Sequence, residues 1–103
     1  MLDEQQAVDA MVEQIGKIEG VTSCKESDAV YRINCHRILI DIDCPDLFEE
    51  DEKAHRAEFK KYKVQIKNIV DSILKDNCLK AYPFKFRNST RKDFSHLMDI
   101  EFY

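Results

Sequence analysis

One stretch, from Asp46 to about Asp76, constrains the fold more than any other part of the chain. Wound at about 100° per residue, it gathers Phe48, Phe59, Tyr62, Ile66, Ile69, Val70 and Ile73 on one side, the period of a helix with one buried face. Pro45 precedes Asp46, and Glu49 stands three residues further on, so the start has the spacing of a capping box. Acids crowd the first turns and lysines the later ones, the order that the helix dipole favours. Lys53, Arg56, Lys60, Lys63 and Lys67 fall on an adjoining flank. A helix this long needs a sheet or other helices to cover its apolar side.

The rest of the chain supplies them. Asp3 and Gln6 repeat the capping-box spacing and open a shorter helix with Val8, Met11, Val12, Ile15 and Ile18 on one face. Gly16 weakens its last turn, and Gly20 is a natural stop. The period then changes to two. Val21 to Lys25 reads as a weak strand; Val30 to Asn34 and Arg37 to Asp43 read as stronger ones, with Asn34-Cys35-His36 as the turn between them. Tyr31, Ile33, Ile38, Ile40 and Ile42 share one face of that sheet. After the long helix, Leu79 to Arg87 is extended and aromatic, and Pro83 confines it to an edge or a bulge. Asn88 to Asp93 is a polar turn, and Phe94 to Tyr103 alternates again, with His96, Met98, Ile100 and Phe102 in phase.

The expected architecture is therefore a single α+β domain over residues 1–103. It has two layers: a mainly antiparallel sheet of about five strands packed on two helices, in the order α-β-β-β-α-β-β. The length fits one core. The longest strongly apolar run is Ile38-Leu39-Ile40, so neither a membrane span nor a signal-peptide core is expected, and the expected location is cytoplasmic.

Motifs that carry chemistry are scarce. Two glycines leave no material for a phosphate-cradling loop, and no nucleophile elbow surrounds any serine. The four cysteines, Cys24, Cys35, Cys44 and Cys78, form no C-x-x-C pair. With His36, His55 and His96 they lack the paired spacing of a structural zinc site, so neither a metal nor a cofactor is expected. Asp41 with Asp43, and Asp99 with Glu101, stand two apart on strands. If those strands were neighbours, four carboxylates would share one surface able to hold a divalent cation. With Asp28 ahead of the acidic strand, this pattern resembles the core of PD-(D/E)xK nucleases, except that Asp43 stands where that motif has lysine.

Positive charge is clustered twice: on the helix flank (Lys53, Arg56, Lys60, Lys63, Lys67) and around the last hairpin (Lys85, Arg87, Arg91, Lys92). The second cluster is interleaved with Tyr82, Phe84, Phe86 and Phe94, the ingredients of single-stranded nucleic-acid contact. The overall net charge of −4 has the wrong sign for a nucleic-acid binder. Separated charged patches with no catalytic motif suit recognition by charge complementarity. The expectation is a small non-enzymatic protein-binding factor, an inhibitor or adaptor acting on a larger protein or protein–nucleic-acid complex. The two basic clusters would be the contact regions, and Asp41, Asp43, Asp99 and Glu101 the competing acidic surface. Small phage-encoded anti-defence proteins share this profile. The alternatives are a nucleic-acid-binding domain and, least favoured, a divalent-metal nuclease. A third comes from the element order, which resembles that of the dimeric type III secretion chaperones and implies a homodimer.

Overall fold

The first helix, α1 (Glu4–Gly16), begins where the sequence predicts. The Asp3 carboxylate accepts from the Gln6 backbone N–H at 2.8 Å, and the Asp3 N–H donates to Gln6 Oε1 at 3.0 Å. That reciprocal pair satisfies two of the orphan donors at the helix start, a cap worth about 1 kcal/mol. Ala7, Val8, Met11 and Ile15 are buried, a stripe of helical period. The chain leaves α1 through a tight turn in which Gly20 takes φ +94, and Val21 N–H bonds back to Ile18 O at 3.0 Å. A side chain at position 20 would collide with the Tyr62 ring, so glycine is required there for space as well as for backbone conformation.

The computed structural model describes residues 1–27, 34–42, 52–88 and 95–103, and for 52–59, 85–88 and 95 the backbone alone. Four strands form one sheet: β1 (Val21–Ser27), β2 (Cys35–Ile42), β3 (Lys85–Asn88) and β4 (Ser95–Glu101). Their spatial order is β1-β2-β4-β3, and every pairing is antiparallel. The two central strands carry the core. Ile38, Ile40 and Ile42 of β2, and His96, Met98 and Ile100 of β4 with Phe102 beyond it, are buried, while the residues between them are half-buried. Period-two alternation thus aims one face of the sheet at the helices. Between Val21 and Ser23 the register shifts by one residue, placing a bulge at Thr22, whose hydroxyl donates to Asp41 O at 3.3 Å.

The long helix, α2, runs from Glu52 to Asp76, and the predicted turns from Asp46 to Asp51 lie outside the described residues. Ile66, Val70 and Ile73 are buried at helical spacing against α1 and the sheet, with Tyr62 and Ile69 half-buried beside them. Its end is well defined. Leu79 N–H reaches Leu74 O at 2.9 Å and Cys78 N–H reaches Lys75 O at 3.3 Å, with Cys78 at φ 54. This is a Schellman cap whose left-handed position holds cysteine instead of glycine. Asn77 Nδ2 donates to Ile73 O at 2.8 Å, and its Oδ1 accepts from Leu2 N–H at 2.9 Å, which ties the start of the chain to the end of α2.

Two expectations need correcting. Among the described residues the sheet has four strands in the order α-β-β-α-β-β; the other expected strand, Val30 to Asn34, falls at 30–33 outside the described residues, and Asn34 is a turn residue. Cys35 and His36 do not form a turn but begin β2: the His36 ring packs edge-on against Phe102, with centroids 5.6 Å apart, so alternation on the helix-facing side already includes it. The aromatic stretch Leu79 to Arg87 is not one strand. Ala81 forms an isolated bridge with Phe102, Tyr82 N–H donates to Glu101 O, Tyr103 N–H donates to Lys80 O, and a ladder resumes only at Lys85, past Pro83. Proline supplies no ladder donor, which accounts for the interruption. Among the described residues, no helix is long and apolar enough to cross a membrane.

Candidate functional site

A groove of about 380 Å³ opens between α2 and the segment 81–84 that leads into β3. Helical geometry supplies one wall: Lys63, Lys67, Val70, Asp71 and Leu74 recur at intervals of three and four, so they line about three turns of α2. Ala81, Tyr82, Pro83 and Phe84 form the other wall, and Ile100 of β4 closes the bottom. The floor is apolar because Val70 and Ile100 belong to the core, with Leu74, Ala81 and Phe84 half-buried beside them. The rim is charged. Lys63, Lys67 and Asp71 are exposed; the two lysines lie about 6 Å apart along the helix axis at 1.5 Å per residue, and Asp71 follows Lys67 by one turn. Tyr82 is 53% exposed and packs at 4.7 Å against Tyr103, itself 67% exposed, so two aromatic rings flank one end.

The predicted basic positions separate on the structure. Lys60, Lys63 and Lys67 are exposed on α2, but only the last two reach the groove; Lys60 borders a shallow depression with Lys61, Val64 and Gln65. Lys53 and Arg56 lie in the first turns of α2. Lys85 and Arg87 occupy β3, at register positions opposite Asp99 and Leu97 of β4. Arg91 and Lys92 lie outside the described residues. The helix lysines and the aromatic run, far apart in the sequence, meet in part at this groove. Pro83 is the available signal, because it interrupts the ladder between the bridge at Ala81 and the start of β3 at Lys85.

The acidic positions are spread out. β2 and β4 are neighbours, but the register sets Asp41 opposite Ser95, Arg37 opposite Asp99 and Cys35 opposite Glu101. Ser95 and Asp99 are four residues apart on one strand, which puts Asp41 and Asp99 roughly 13 Å apart. Arg37 binds Asp99 through both oxygens, Nε to Oδ1 at 2.8 Å and a terminal nitrogen to Oδ2 at 3.2 Å. Asp43 lies outside the described residues, and among these no three histidines, cysteines or carboxylates gather as a metal site.

The cysteines and histidines among the described residues lie apart from this groove. Cys24 faces the helices opposite Ile40, and burial, with a smaller contribution from Asp41, pushes its thiol up to about 11. A thiol held protonated in this way is a poor nucleophile. Cys35 is half-buried on the face away from the helices, and Cys78 is exposed at the α2 cap. His36 Nδ1 lies 3.5 Å from Glu26 Oε1, which also accepts from Gln5 Nε2 of α1 at 2.9 Å. His96 is buried at 7% exposure opposite Ile40. The sequence matches no protein-family model and no curated protein.

Proposed function

We propose that this protein is a small non-enzymatic binding factor that holds a segment of a larger protein in the groove beside α2, and so acts as an inhibitor or adaptor. One observation carries this reading: an apolar trough whose rim holds two exposed lysines, Lys63 and Lys67, against a single carboxylate, Asp71. A concave apolar site with a few placed polar groups is the usual form of a recognition surface. Cations beside it favour a partner of opposite charge and raise the rate at which that partner is captured.

A photo-crosslinking amino acid placed at Tyr82, an exposed rim position, tests the reading in cells of the protein's source. The expected result is a discrete adduct with one partner protein, missing when the probe sits at exposed Lys25 on β1 and missing when Lys63→Glu and Lys67→Glu are combined. Equal adducts from both probe positions, or an adduct indifferent to the charge reversal, would remove the groove from the function.

Single-stranded nucleic acid is the second reading, favoured by the adjacent exposed rings of Tyr82 and Tyr103 next to Lys80. Two rings at a basic rim are a stacking platform in miniature. Salt-titrated binding to a labelled oligonucleotide decides it, since true phosphate contact gives an affinity that falls steeply with salt. No salt-sensitive binding at tens of micromolar, a range typical of weak non-specific binders, ends this reading.

A further inference from the structure

Resting on the protein-binding reading, the groove can be assigned a kind of occupant. We infer that it takes an acidic amphipathic helix of the partner, laid along α2 with its apolar side chains in the trough and two carboxylates one turn apart on Lys63 and Lys67.

Size comes first. A helix with its side chains is about 10–12 Å across, too wide to sink into a trough of about 380 Å³, so only side chains from one face of it enter. The wall from Lys63 to Leu74 is about 16 Å long at 1.5 Å per residue, enough to seat apolar residues from two or three turns of a partner helix. Charge comes second. Lys63 and Lys67 outnumber Asp71 on the rim and are four residues apart, so their spacing along the groove matches that of acids at i and i+4 on a helix running beside them. Backbone chemistry then separates a helix from an added strand. Tyr82 N–H is already spent on Glu101 O, and Lys80 O on Tyr103 N–H, so a strand added to this wall would have to pair with the groups of 81 and 83. Position 83 is proline and has no N–H. A strand adding to the wall would lose its central donor, whereas a helix brings its own hydrogen bonds and needs none.

Selection from a displayed library of random 18-residue peptides against the full chain tests this without knowing the partner. Enriched peptides should combine apolar residues at i, i+3 or i+4 with an excess of acids, and should gain helical circular dichroism on binding. Their affinity should fall at least tenfold for the combined Lys63→Glu and Lys67→Glu variant and stay unchanged for Lys17→Glu, at the exposed C-cap of α1. Matching thermal melts exclude misfolding of the charge-reversed protein, and a peptide with lysine in place of its acids should regain binding to that variant. Binders without acidic excess, binders that remain non-helical, or binders indifferent to the reversal overturn the inference while leaving a binding role elsewhere on the chain intact. A library that yields no binder overturns both.

Discussion

Cys78 holds a backbone conformation that carries a penalty for any side chain. At φ 54 its Cβ crowds the following carbonyl, a strain of roughly 1–2 kcal/mol that glycine escapes. The position cannot relax, because Leu79 and Cys78 close the Schellman cap onto Leu74 and Lys75. Replacing Cys78 by glycine removes the strain but gives the unfolded chain more freedom, an opposing effect of about 0.5–1 kcal/mol. The side chain is exposed, so no packing is lost. The net expectation is a stabilisation of about 0.5–1 kcal/mol, or roughly 2–8 °C in melting temperature for a domain of this size. Urea unfolding followed by far-ultraviolet circular dichroism, under reducing conditions, measures it as a rise in midpoint at constant slope. Cys78→Ser serves as control for loss of the thiol and should be close to neutral. Cys78→Val, β-branched in a left-handed site, should destabilise by about 1 kcal/mol or more. A glycine variant no more stable than the serine variant would refute the argument that the cap is strained.

Two further outcomes follow from the sheet. The Arg37–Asp99 pair is bidentate and its side chains are only 22% and 19% exposed, so a double-mutant cycle with Arg37→Met and Asp99→Asn should return a coupling of about 1 kcal/mol, above that of an exposed pair; a value near zero would show that desolvation cancels the contact. Because the Cys24 thiol is raised in the folded state to about 11, its contribution to stability is complete below the ordinary thiol range near 9 and is lost as pH climbs from there toward 11. The urea midpoint should therefore fall more steeply across that interval for the native chain than for Cys24→Ala, and identical pH slopes would contradict it.

Local chemistry was legible in the residues. Asp3 and Gln6 announce their cap because both partners lie within one turn, and the buried sets Val8–Met11–Ile15 and Ile66–Val70–Ile73 follow directly from helical period. Met98, Ile100 and Phe102 follow from alternation. His36 was misplaced because its polar character hides an aromatic ring that packs on Phe102, a partner the chain reaches only at its far end. The stop of α2 carried no glycine to mark it; the hydrogen bonds at Cys78 impose it instead. Strand order depends on pairing between distant segments, so the register that parts Asp41 from Asp99 was not readable from spacing. The groove was hidden for the same reason: one wall is helical period, the other is where a proline interrupts an aromatic strand.

Gly20 has an influence beyond its own turn. Its missing side chain leaves the room that the hydroxyl end of Tyr62 occupies, so α2 packs closer to the α1–β1 turn than a larger residue at position 20 would allow. Lys63 is the next residue along, and Lys67 follows one turn later, so the heading of both ammonium groups is inherited from an atom that glycine lacks. The direction of the proposed lysine rim thus depends in part on a residue that contributes no side chain at all.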